Sequence, residues 1–322
     1  MKARLFCMAW ILASALMGCD GGDGNNNSGG SGGEGGAGAS GGSGGSGGSG
    51  ATGTGGSAEC PSQASGTAAN HIIVKISWPE TIGLEAGEGE MHIWTKASLT
   101  FNGNDVTGTA EPCGSVIPEL IKTSLAGGGK VQTVIPDEVW DAATMPAFDV
   151  QGAISGFNVG ATISMDPIAS TVGLTMTDPA NDPWPAEASQ VMTADHDGDG
   201  KPGIKAIPRT DGELTAPPLD LNGALDPNGP RADEVYVVTR TKIQLEGTRD
   251  SCTSAKGTAK VTNIDSHVVG CHVKGGSDCT QDQSDFIDAN QPKYTILSAT
   301  YEMVQVPADA TCADVRAALP MQ

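Results

Sequence analysis

Asp195-His196-Asp197-Gly198-Asp199-Gly200-Lys201-Pro202-Gly203 is the stretch of this 322-residue chain whose residue types and spacing most directly specify chemistry. Carboxylates at the alternate positions 195, 197 and 199 can turn their oxygens to a common point, the donor set that a hard divalent cation takes. Without a counterion, three such charges repel one another at close range. Other chemistry-bearing residues are scattered. The five histidines, His71, His92, His196, His267 and His272, form no H-E-x-x-H, and none is spaced to share a strand face with a second. A Ser or Cys nucleophile with its base is defined by geometry rather than order, and no spacing marks one. Gly36-Ala37-Gly38-Ala39-Ser40-Gly41 and Gly41-Gly42-Ser43-Gly44-Gly45 match the letters of phosphate-binding and nucleophile-elbow motifs. Neither follows a strand or opens a helix, so both are accidents of composition.

The acidic stretch resembles the D-x-D-x-D-G calcium loops of EF-hands, dockerins and thrombospondin-type repeats. That resemblance implies side-chain oxygens from Asp195, Asp197 and Asp199, and the backbone carbonyl of Lys201, with His196 pointing away from the ion. The pattern departs from an EF-hand at the twelfth position, where Ala206 stands in place of a bidentate Glu. Pro202 and Gly203 also break any exit helix. A missing ligand is expected from Asp211, Asp182 or water. The expectation is a calcium loop without an EF-hand.

Leu16-Met17-Gly18-Cys19 closes an apolar run that follows Lys2 and Arg4. The arrangement resembles the lipobox of bacterial lipoproteins, which implies a signal peptide over 1–18, cleavage before Cys19 and lipid on that cysteine as the membrane anchor. The apolar run is too short for a spanning helix. Residues 19–59 are almost all Gly, Ser, Asn and Thr, a composition that cannot offset its own ordering and acts as a tether. Some forty such residues reach roughly 35 Å. The expected location is the bacterial cell envelope, with the outer membrane or cell surface favoured. Asp20 leaves the inner membrane open, because some lineages retain lipoproteins with Asp there and others do not.

Formal charge is −20, and removal of Lys2 and Arg4 takes it to about −22. Such a surface repels nucleic acid and anionic lipid heads. Six cysteines follow Cys19: Cys60, Cys113, Cys252, Cys271, Cys279 and Cys312. An even number outside the cytoplasm reads as three disulfides. Their distribution favours Cys60–Cys113, with the other four pairing among themselves.

The elements that must hold these groups read as short alternating strands. Ile72, Val74, Ile76 and Trp78 share one face; Met91, Ile93, Thr95, Ala97, Leu99 and Phe101 share another, turned by Asn102-Gly103. Further strands are expected over 130–135, 147–154, 159–165, 171–176, 235–247, 257–263, 267–273 and 293–305. Short helices are expected over 136–143 and 312–319. About ten strands without a crossover helix imply an all-β antiparallel sandwich or barrel over 60–322. Nine of the nineteen prolines fall in 178–233, which argues against interior sheet there and for a segment ordered by calcium. These features favour a non-catalytic binding or structural envelope protein, its ligand or partner open. The alternative is an extracytoplasmic hydrolase with a calcium-ordered active-site loop. An apolar interior cavity would favour ligand carriage, and two carboxylates about 5–9 Å apart in a cleft would favour glycosidase chemistry.

Overall fold

The computed structural model describes residues 59–321 except 82, 125–127, 211–218 and 221–230. The expected signal peptide, Cys19 and nearly all of the tether therefore lie outside the described residues, as does Asp211. The chain is almost entirely antiparallel β structure. In chain order its elements are β1 Ser65–Trp78, β2 Gly87–Asn102, β3 Asp105–Val116, β4 Leu120–Ile121, β5 Lys130–Val134, α1 Asp137–Trp140, β6 Phe148–Ile154, β7 Thr162–Met165, β8 Ile168–Val172, β9 Ile204–Thr210, β10 Leu219–Asp220, β11 Arg231–Arg249, β12 Ser254–Val273, α2 Gln281–Ala289, β13 Thr295–Val306 and α3 Cys312–Ala318.

Eight of these strands close on themselves. The order β12-β13-β1-β2-β3-β6-β7-β11 returns to β12 through the long β11–β12 hairpin. Every neighbouring pair in the ring is antiparallel. Alternation sets the two faces. Ile72, Val74 and Ile76 of β1 turn inward to meet Leu99, Val106, Val150, Leu245 and Tyr301, all buried. Outside the barrel, Lys75 and Glu90 pair across β1 and β2 at 3.7 Å. Apolar within and charged without is the reverse of a membrane-spanning barrel. Among the described residues no helix is long and apolar enough to cross a membrane.

β11 is longer than the ring needs. Its outer edge pairs successively with β9 at Val235–Val237, β8 at Thr239–Ile243 and β7 at Glu246–Thr248. The first part of β11, the end of β12, and β9, β5 and β4 thus extend the sheet beyond the barrel. A second core of Val139, Trp140, Ile204, Val235, Val268 and Ile287 fills that extension. On the barrel wall, α3 covers a third cluster around Ala69, Trp94 and Val315.

Several expectations are corrected. The disulfides are Cys60–Cys252, Cys113–Cys312 and Cys271–Cys279, not Cys60–Cys113. Proximity in sequence misled here, because β1 lies next to β13, and β13 next to β12. Cys60, before β1, therefore sits at the barrel end where the β11–β12 turn carries Cys252. The region 178–233 also holds strand, though not interior ladder at its prolines: β9 pairs with β11 over 204–206 and with β5 over 207–210, so the buried Pro208 is paired on one side only. The β11 ladder ends at Ala206, before that proline is reached. β3 and α2 went unforeseen, and 257–273 is one strand rather than two.

Candidate metal centre

The acidic stretch connects the end of a long surface excursion to β9. An isolated bridge between Asp195 and Gly203 draws its two ends together. Between them Gly198, Gly200 and Gly203 take positive φ of 74°, 81° and 85°, a conformation glycine adopts without steric cost. The loop wraps around Asp195. Its Oδ1 accepts from the amides of Gly198 (2.7 Å) and Asp199 (3.1 Å), and its Oδ2 from Gly200 (2.9 Å). Asp199 Oδ1 accepts from the Lys201 amide at 2.8 Å, and Asp197 Oδ2 from the Lys205 amide at 2.8 Å.

These bonds bring one carboxylate oxygen of each of Asp195, Asp197 and Asp199 within 4.8 Å of the others. They leave one oxygen over: Asp197 Oδ1 is buried and has no hydrogen-bond partner. Burial pushes the Asp197 carboxyl above the ordinary range, the Asp199 charge and the neighbouring Asp195 carboxyl push it the same way, and the Lys205 amide opposes them. Buried polar groups are normally satisfied, and a carboxylate oxygen orphaned beside two more carboxylates is an arrangement that a hard cation would satisfy. The donor set is all oxygen, which suits calcium rather than a thiophilic metal.

The neighbouring side chains hold the loop in place. Lys201 Nζ turns to Asp278, at 2.8 and 2.7 Å from its two oxygens, instead of into the carboxylates. Asp278 lies in the small loop closed by Cys271–Cys279. His196 points away from the three carboxylates' amide nest: its Nδ1 accepts from the Gly173 amide at 2.9 Å, and its carbonyl accepts from Thr144 Oγ1 at 2.6 Å. Burial lowers the His196 pKa, which fits a ring nitrogen used as an acceptor. Ala206 is fully buried on β9 against Val235, so the exit is a strand and no twelfth-position ligand exists. Asp182, another expected ligand, has Oδ2 on the Asp178 amide at 2.8 Å.

Protein side chains grip the earlier half of the excursion. Trp184 stacks on His267 with ring centroids 5.2 Å apart, and the Arg240 guanidinium lies 5.2 Å from the Trp184 ring. Arg240, 3% exposed, pairs with Asp265 at 2.8 Å and donates to the Asp182 carbonyl at 2.6 Å. Lys242 Nζ donates to the Ala180 carbonyl at 2.5 Å. His267 faces an acceptor on each side, Asp288 Oδ2 at 2.8 Å and the Pro185 carbonyl at 3.0 Å. Residues 178–191 thus have protein partners of their own, separate from the acidic loop.

A histidine pair also escaped notice. His71 on β1 and His92 on β2 meet across the two strands, Nε2 to Nδ1 at 3.0 Å. His71 lies flat on Trp94, whose Nε1 donates to the Leu319 carbonyl beyond α3. The only sequence signal was cross-strand register, with His71 opposite Trp94 and Ile73 opposite His92. A second grouping, Glu111 with Cys113 and Cys312, brings metal-type atoms together, but both cysteines are disulfide-bonded and offer no thiolate.

No family model matches the chain, and neither a curated protein nor a solved structure does.

Proposed function

We propose that this chain is a bacterial envelope lipoprotein, anchored through Cys19, whose barrel is a non-catalytic binding domain stabilised by calcium. One observation carries the calcium reading: Asp197 Oδ1 is buried without a partner among carboxylates that converge within 4.8 Å. Side-chain oxygens of Asp195, Asp197 and Asp199 would hold the ion, with the Lys201 carbonyl as the expected fourth donor. The ion would neutralise the loop and fix the start of β9, a role that a weak extracellular-type affinity on the order of 10⁻⁴ M suffices for. The anchor reading rests on Leu16-Met17-Gly18-Cys19 and the Gly/Ser tract that follows. The binding reading rests on the closed eight-stranded ring, a size that fills with side chains or takes one small ligand.

The test is thermal unfolding of the full-length protein with and without a chelator. Chelation should lower Tm and expose bonds near 192–203 to protease, and added calcium should reverse both. Asp197→Asn should remove the response. An unchanged Tm and unchanged digestion after chelation would sink the calcium reading. Loss of membrane fractionation in Cys19→Ser tests the anchor separately.

A further inference from the structure

The barrel interior holds two adjoining cavities of about 60 Å³ each. One opens at the end that carries Phe101, Ile154 and Arg249. The other lies deeper, against Asn70, Thr95, Ile93, Phe148, Thr241 and Ile243. Leu99, Met165 and Met303 line both. Methionine thioethers are unbranched and adapt to irregular space, so a shift of Met165 and Met303, which line both chambers, would join them. The joined volume approaches the roughly 150 Å³ at which an apolar cavity binds benzene.

Asn70 gives this space a polar address. It sits on the inward face of β1, 4% exposed, opposite Thr95 in register. Its Nδ2 donates to Thr95 Oγ1 at 3.2 Å, while its Oδ1 is buried and has no partner. A buried carbonyl left unsatisfied is destabilising. A donor arriving inside the cavity would remove that cost.

We infer that the barrel interior is a binding site for a small neutral molecule with an apolar body and one hydroxyl donor, which hydrogen-bonds to Asn70 Oδ1. Neutrality follows from the formal charge of −20, which disfavours anions, and from the absence of any acidic side chain among the residues lining either cavity, which gives a cation no partner. Arg249 stands at the outer chamber with its Nε unpartnered, so an anionic analogue belongs in the test. The inference rests on the binding-protein reading above but not on calcium.

The experiment titrates full-length protein with phenol, benzene and benzoate, read by calorimetry and by Tm. Phenol should raise Tm and bind at least tenfold more tightly than benzene. In Asn70→Leu the two should bind alike. Met165→Trp, which fills the shared wall, should abolish both, and it serves if Asn70→Leu does not fold. Failure of phenol and benzene to bind would mean that the cavities hold only water and would overturn the inference. So would an undiminished phenol preference in Asn70→Leu, or benzoate binding more tightly than phenol. Repeating the titration under chelation separates the two readings: a Tm that responds to calcium without any response to phenol removes the ligand inference alone.

Discussion

At the scale of single residues, two titratable groups, the half-buried Asp197 and the buried His71, show how environment decides charge. Asp197 accepts from a single loop amide and keeps Oδ1 buried without a partner, whereas Asp195 accepts from three, so burial works against the Asp197 charge. His71 is the basic counterpart. Burial first, then the proximity of His92, depress its pKa from 6.5 to about 4. Only 2% exposed and stacked on Trp94, it is neutral in the fold, and one ring of the His71–His92 pair gives the single proton between them. The unfolded chain binds a proton at His71 below pH 6.5 that the folded chain refuses until about pH 4. Stability is thus complete above pH 6.5 and falls as pH drops from 6.5 towards 4. The loss is on the order of 3 kcal/mol. Urea unfolding of the wild type and of His71→Phe at pH 7.5 and 4.5 checks this. The variant should lose less stability between the two pH values, and equal losses would show that His71 does not set the slope.

At the scale of elements, the proline-rich excursion is fastened at two separate places. Arg240, Lys242 and His267 grip 179–185 from the outer face of β11 and β12, and the acidic loop fastens 195–203 to Gly173, Lys205 and Asp278. The two fastenings should fail independently. Trp184→Ala removes the ring between Arg240 and His267 and should cost about 2 kcal/mol, less than a full core Trp because Trp184 is half-buried. Limited proteolysis should then cut within 178–191 while calcium still restores protection near 192–203. Cleavage at both places together would show one cooperative unit instead. The sequence exposed the strands with clean alternation, including the inward faces of β1 and β2, the start of the acidic loop and the short α3. It hid β3, where Gly108, Pro112 and Gly114 interrupt the pattern. A Cβ at Gly108 would meet the Ser98 carbonyl at 2.0 Å, and Pro112 stands at a register shift, so both residues serve close strand approach rather than a turn. α2 was hidden because only Ser284 and Ile287 are buried, leaving no apolar stripe, although the Thr280/Gln283 capping box was legible. Arg240 and Lys242 could be read as an outward face; what they hold lies some sixty residues away, beyond any local pattern.

At the scale of the whole molecule, closure of the ring depends on contacts distant in sequence. β1 pairs with β13, so the first and last strands of the domain are neighbours, and no local pattern could reveal it. Two disulfides reinforce this closure. Cys60–Cys252 spans a separation of 192 residues, and Cys113–Cys312 spans 199, tying β3 to the start of α3. Cys271–Cys279 spans only 8 and secures the small loop that presents Asp278 to Lys201. Cross-links act largely on the unfolded chain, whose freedom they reduce in proportion to the logarithm of the loop. On that account each long link contributes about 5 kcal/mol and the short one about 2.5 kcal/mol. Replacing Cys113 and Cys312 together by alanine should therefore lower stability more than replacing Cys271 and Cys279 together. Cys113, Cys312 and Cys271 are buried and Cys279 is half-buried, so part of the difference reports on cavities and the rest on loop length. Equilibrium urea unfolding of the two double variants decides it. The long-loop variant should also show a steeper dependence on urea, because its unfolded chain exposes more surface. A larger loss in the Cys271/Cys279 variant would mean that the acidic-loop end, not ring closure, is where cross-linking matters most.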